Sequence, residues 1–112
     1  MDKKEMSSDA FELIYRRYIK DDPARVASFQ EELTKAEVAR EIYDLRNAAA
    51  LSHEQLAALI DTAPSVIEDI EEADYDGDLL AMASRIAAVL HRKVEIRFVP
   101  MENDEFATVA PA

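Results

Sequence analysis

The chain has 112 residues, 49% of them hydrophobic, which suffices for one domain with one modest core. Cysteine is absent, which excludes disulfides and thiolate metal sites and fits a reducing compartment, so a cytoplasmic location is expected. Twenty-four acidic against 13 basic residues give a formal charge of −11, a field that repels polyanions and attracts basic surfaces. The N-terminus has no apolar signal-peptide core and no window approaches the roughly 20 apolar residues that span a bilayer, so no membrane partner is expected.

A single glycine and four prolines leave few tight turns, and the composition reads mainly as helix. Residues 1–7 form a polar end. Ser8 is placed to cap a helix in which Phe11, Ile14, Tyr15, Tyr18 and Ile19 share one stripe. Asp22 followed by Pro23 reads as an N-cap with proline at the first helical position. From Pro23 to about Ala50 the apolar phase shifts from Val26, Phe29 and Leu33 to Val38, Ile42, Leu45 and Ala49. That pattern predicts either one long helix or a break near Thr34.

Ser52 with Gln55 makes a capping box that opens a short helix with Leu56, Leu59 and Ile60 inward. The turn Asp61-Thr62-Ala63 follows, and Pro64 starts a helix carrying Ile67 and Ile70. Gly77 is expected to supply a positive φ, and Asp78 to cap a helix that puts Leu80, Ala83, Ile86, Ala87 and Leu90 on one face. His91, Arg92 and Lys93 crowd its C-terminal end, where positive charge complements the helix dipole.

Val94, Glu95, Ile96, Arg97 and Phe98 alternate apolar and charged up to Pro100, which reads as one half-buried strand. A lone strand needs a ladder partner. Antiparallel pairing with its own copy about a two-fold axis through Ile96 sets Glu95 opposite Arg97 twice over; the alternative is that the strand completes a partner protein's sheet and the free chain is a monomer. The remainder, Met101 to Ala112, reads as a loose acidic tail.

These residues resemble the Cro/C1-type (XRE) helix-turn-helix family, and within it the HigA-like antitoxins that pair with RelE/ParE-type ribonuclease toxins. The likeness runs from about Glu37 to Pro100 and is carried by Leu45-Arg46, Leu51-Ser52-His53-Glu54-Gln55-Leu56-Ala57, Ile67 to Glu71, Asp74 to Asp78, Arg85-Ile86-Ala87 and Val94 to Pro100. The resemblance implies an all-α, lambda-repressor-like helix-turn-helix bundle over residues 36–92. An N-terminal helical extension (8–35) precedes it, a C-terminal β-strand that pairs between molecules (93–100) follows it, and residues 1–7 and 101–112 are flexible ends. It also implies a salt bridge between Arg46 and Glu71, a homodimer, operator DNA as ligand, autorepression and a basic RelE/ParE-like toxin as partner.

In that family bases are read from the first turn and outward face of the third core helix. The corresponding positions are Pro64, Ser65, Val66, Glu68 and Asp69, with His53 placed against a phosphate and Arg46 nearby. Only Ser65 donates to a base edge, Val66 offers a thymine methyl contact, and the two acids accept from a cytosine amino group while facing phosphate repulsion. The alternative is a protein-binding antitoxin or adaptor in which the acidic helix-turn-helix has weakened or lost DNA binding.

Plainer readings stand beside these. Glu68, Glu71, Glu72, Asp74, Asp76 and Asp78 make an ordinary solvated acidic face, and His53 and His91 lack partners at metal-ligand spacing, so neither metal nor cofactor is expected. The aromatic stripe Phe11, Tyr15, Tyr18 is either intramolecular packing or the first candidate for a partner contact. No nucleophile elbow, Gly-rich phosphate loop or paired carboxylate set occurs, so neither an enzyme nor a small-molecule substrate is expected.

Overall fold

The computed structural model describes Ala10 and residues 12–100; the polar ends, the Ser8 cap and Phe11 lie outside the described residues. All regular elements are helical: a π-helical turn π1 (Tyr15–Ile19), then α1 (Pro23–Ala48), α2 (His53–Leu59), α3 (Pro64–Glu71) and α4 (Leu79–Val89). No helix among the described residues is long and apolar enough to cross a membrane. The described residues divide into two compact units, a first that takes those up to Glu31 and from Arg97 to Pro100, and a second, Glu32–Ile96.

In the first unit the Lys20 N–H donates to the Tyr15 carbonyl at 2.8 Å, the i to i+5 bond of a π turn. The wider turn breaks the expected five-residue stripe. Tyr15 is buried against Phe29, with ring centroids 5.7 Å apart, and Ile19 is half-buried, whereas Ile14 and Tyr18 face solvent. Asp22 caps α1 as expected: its Oδ1 accepts from the backbone N–H of Ala24 at 3.0 Å and of Arg25 at 3.4 Å. Pro23 takes the first position, where a missing N–H leaves no bond unmade.

α1 runs unbroken through Thr34, since a single threonine costs a helix only a few tenths of a kcal/mol. Its inward face within the second unit is Ala39, Ile42 and Arg46, flanked by Val38 and Leu45; Ala49, past the helix end, is exposed. The core gathers Ile42 from α1, Leu56, Ala57 and Ile60 from the α2 region, Ile67 and Ile70 from α3, and Met82 and Ile86 from α4. Two expected inward residues point out: Leu59 is 54% and Leu80 53% exposed. Leu56 and Ala57 fill the α2 side and Met82, two residues from Leu80, takes the inward direction of α4, because each short helix buries one narrow stripe.

Ser52 and Gln55 close the capping box: Ser52 Oγ accepts from the Gln55 N–H at 3.0 Å, and the Ser52 N–H donates to Gln55 Oε1 at 2.8 Å. Asp78 Oδ1 accepts from the Ala81 N–H at 3.0 Å. The helix exits depart from expectation. Gly77 has no positive φ; the left-handed residues are Ala50, Asp61, Ala73 and His91, with φ of 58–59°. Each closes a Schellman motif, as where the Leu51 N–H donates to Arg46 O (3.1 Å) and the Ala50 N–H to Asn47 O (3.0 Å). The outer atoms of the Tyr75 ring lie over Gly77, so a Cβ there would force that ring to shift.

Left-handed alanines carry a steric cost that glycine lacks, partly offset by glycine's freedom when unfolded. Ala50→Gly and Ala73→Gly are therefore expected to stabilise by up to about 1 kcal/mol each, raising Tm by a few degrees, while Ala36→Gly, exposed in the interior of α1, should lower stability by about the same amount. Thermal unfolding monitored by circular dichroism checks the opposite signs.

Candidate nucleic-acid interface

Three helices meet at one buried carboxylate. Glu71, the last residue of α3, accepts from Arg46 of α1 through two parallel bonds, Nε to Oε2 at 2.7 Å and Nη2 to Oε1 at 3.0 Å. Both side chains are over nine-tenths buried, at 8% and 7% relative exposure. The third guanidinium nitrogen, Nη1, donates to the Leu51 carbonyl at 2.8 Å, and the Arg46 guanidinium carbon lies 5.7 Å from the Tyr43 ring centroid. His53, the first residue of α2, brings Nε2 to 3.1 Å from Glu71 Oε1.

The planar fork of arginine suits this geometry, and the bidentate charge-assisted contact fixes the α1–α3 angle as well as the distance. Burial pushes the Glu71 carboxyl up, but hydrogen bonds from Arg46 and His53 and their charge outweigh it, so the group titrates below the usual glutamate range. The Glu71 bond raises Arg46 further above its already high value. The linkage follows from a depressed acid: its contribution to stability is full above the ordinary glutamate range and disappears as pH falls through the folded-state value. The Tm difference between wild type and Glu71→Gln should therefore be constant near neutrality and shrink on acidification below that range.

Arg46, named among the possible DNA contacts, is thus spent on architecture. The α2–α3 turn presents Pro64 and Val66 half-buried and Ser65, Glu68 and Asp69 exposed. Ala63 precedes α3 without a side-chain cap bond. Around this face Glu54, Asp61, Glu72, Asp74, Asp76 and Asp78 are exposed as well, so of the acids first read as one solvated run only Glu71 turns inward.

From Asn47 to Ser84, a stretch that contains α2 and α3, there is no lysine or arginine at all. Arg85, the next cation, donates to the Ile60 carbonyl at the end of α2 and reaches Met82 Sδ at 3.7 Å. Arg40, Arg92 and Lys93 are exposed, with Lys93 4.0 Å from Glu95.

Of the aromatic stripe, Tyr15 is occupied by packing on Phe29 while Tyr18 is 58% exposed with the Arg17 guanidinium 5.9 Å from its ring centroid. Residues 92–100 form no regular element, and the alternation expected of a half-buried strand is not seen within one chain: Val94, Ile96 and Phe98 are all exposed, Phe98 at 98%. A ladder requires a second strand, and no other strand occurs among the described residues.

Comparison with protein-family models, with curated proteins and with solved structures returned no match to this chain.

Proposed function

We propose that the protein is a helix-turn-helix regulator of the Cro/C1 type, a HigA-like antitoxin that docks on its own operator as a homodimer. The observation that carries this reading is the Arg46–Glu71 pair: a bidentate, buried tie between the helix before the motif and the end of the would-be reading helix, with α2 and α3 joined by a tight turn. Such a tie fixes α3 at one angle, which groove reading needs and a plain helical bundle does not.

Docking in this reading relies on few cations. The Ser65 N–H, in a first turn that no side chain caps and where Pro64 has no donor and the Val66 N–H bonds to Ala63 O at 3.0 Å, holds a phosphate oxygen, the Ser65 hydroxyl donates to a base edge, and Arg92 and Lys93 supply charge outside the motif. The self-complementary Val94–Phe98 segment brings two copies together by antiparallel pairing, which suits a palindromic site. Titration of the purified protein against its own upstream promoter at low salt, with an unrelated fragment as control, should show preferential binding; equal or absent binding overturns the operator reading.

A second reading has its own observation. The cation-free stretch from Asn47 to Ser84 favours an acidic docking face for a basic protein such as a RelE/ParE-like toxin, with the helix-turn-helix frame as scaffold and Tyr18 as a further contact. Catalysis has no part in either reading.

The oligomeric claim has a separate check. Ile96→Pro removes a ladder N–H at the two-fold axis and should convert a dimer to monomer in sedimentation or light scattering. An Ile96→Pro protein that stays dimeric shows that the two-fold contact lies elsewhere.

A further inference from the structure

We propose that His53 acts inward, as a positioning residue that holds the Glu71 carboxylate and with it the relation of α2 to α3, and not outward as a phosphate contact. The inference deepens the operator reading and rests on it only for its binding readout.

Consecutive residues at the start of α2 are each tied to a different element. The Leu51 carbonyl accepts from Arg46 of α1 at 2.8 Å, Ser52 is closed onto Gln55 within α2, and His53 reaches Glu71 of α3 at 3.1 Å. Without the last tie, α2 would be fixed to α1 and to itself, and joined to α3 by the turn and core packing alone. Glu71 Oε1 is shared between Arg46 Nη2 and His53 Nε2, so the α2–α3 contact falls on the same oxygen as one arm of the α1–α3 fork, while Oε2 takes the other arm.

The direction of the hydrogen bond follows from the carboxylate. An ionised carboxylate only accepts, so the hydrogen on this contact sits on His53 Nε2, and a neutral ring keeps Nδ1 as its acceptor. The choice matters because His53 is the sole side chain between Asn47 and Ser84, Arg and Lys being absent there, that can carry positive charge. With Nε2 committed to Glu71 the ring is held at the helix junction, its side chain one-third exposed.

Three measurements on the full chain with His53→Ala and His53→Gln test the assignment. In a double-mutant cycle with Glu71→Gln, the unfolding constant should show a coupling of about threefold to tenfold, and His53→Gln, whose amide can still donate, should recover most of the loss; strict additivity overturns the proposal. The nitrogen-15 spectrum of the ring at alkaline pH should place the hydrogen on Nε2, and a hydrogen on Nδ1 overturns it. In promoter titrations across salt, His53→Ala should weaken binding with an unchanged slope of log K against log salt, because no phosphate contact is lost. A slope smaller in magnitude by about 0.9 means that His53 touches a phosphate and the proposal fails. If the wild type shows no promoter binding at low salt, the operator reading falls, and the cycle and the ring spectrum still decide the role of His53.

Discussion

Arg46→Ala is expected to destabilise the protein by about 3 to 5 kcal/mol, the cost of leaving a buried carboxylate without its partner. For a chain of this size that lowers Tm by roughly 12 to 20 °C. Removing the arginine strands Glu71, frees the Leu51 carbonyl and takes a cation off the Tyr43 ring, so several losses coincide at one junction. Replacing both charges, as in Arg46→Met with Glu71→Leu, should restore much of the stability, since two apolar side chains of similar volume avoid the desolvation cost. The double variant separates stability from geometry: it folds, but without the fork that sets the helix angle. A single Arg46→Ala variant within about 1 kcal/mol of wild type would show the pair to be incidental.

Glu68→Arg with Asp69→Arg is expected to raise DNA affinity at low salt by on the order of tenfold or more and to steepen the salt slope by up to about 2, one release event near 0.9 for each new phosphate contact. Both side chains are exposed on α3, so stability should change by less than about 0.5 kcal/mol. The gain is large because the wild-type face offers no cation between Asn47 and Ser84 against which a phosphate can settle. The result should be indifferent to sequence, since added arginines reach the backbone before they reach bases. Unchanged affinity and slope would mean that this face does not meet DNA, and would move weight to the protein-docking reading.

Local rules made much of the fold legible. The Ser52–Gln55 box, the Asp22 and Asp78 caps and Pro64 at a helix start depend on neighbours within three residues, and all stand where the sequence places them. The helix exits were hidden for the opposite reason. Sequence reasoning looks for glycine at a left-handed residue, but the Schellman hydrogen bonds hold alanine, aspartate and histidine there, while the one glycine serves the Tyr75 ring. The π turn at Tyr15 is likewise invisible to a 3.6-residue period, which is why Tyr18 was counted inward. At the site, Arg46 and Glu71 were paired through resemblance, 25 residues apart, whereas the approach of His53 to Glu71 across 18 residues had no sequence signal. The cation-free stretch had one and needed only attention to where the positive charges fall.

The central claim is that an intact helix-turn-helix frame meets DNA through the start of α3 despite an acidic face. Its most direct test is the backbone amide spectrum of nitrogen-15-labelled protein during addition of the promoter fragment at low salt. Shifts are expected to concentrate at Ser65 and Val66, with Arg92 and Lys93 following, and to be small at the buried core. Shifts confined to other regions, or a spectrum unmoved by the promoter, would contradict it.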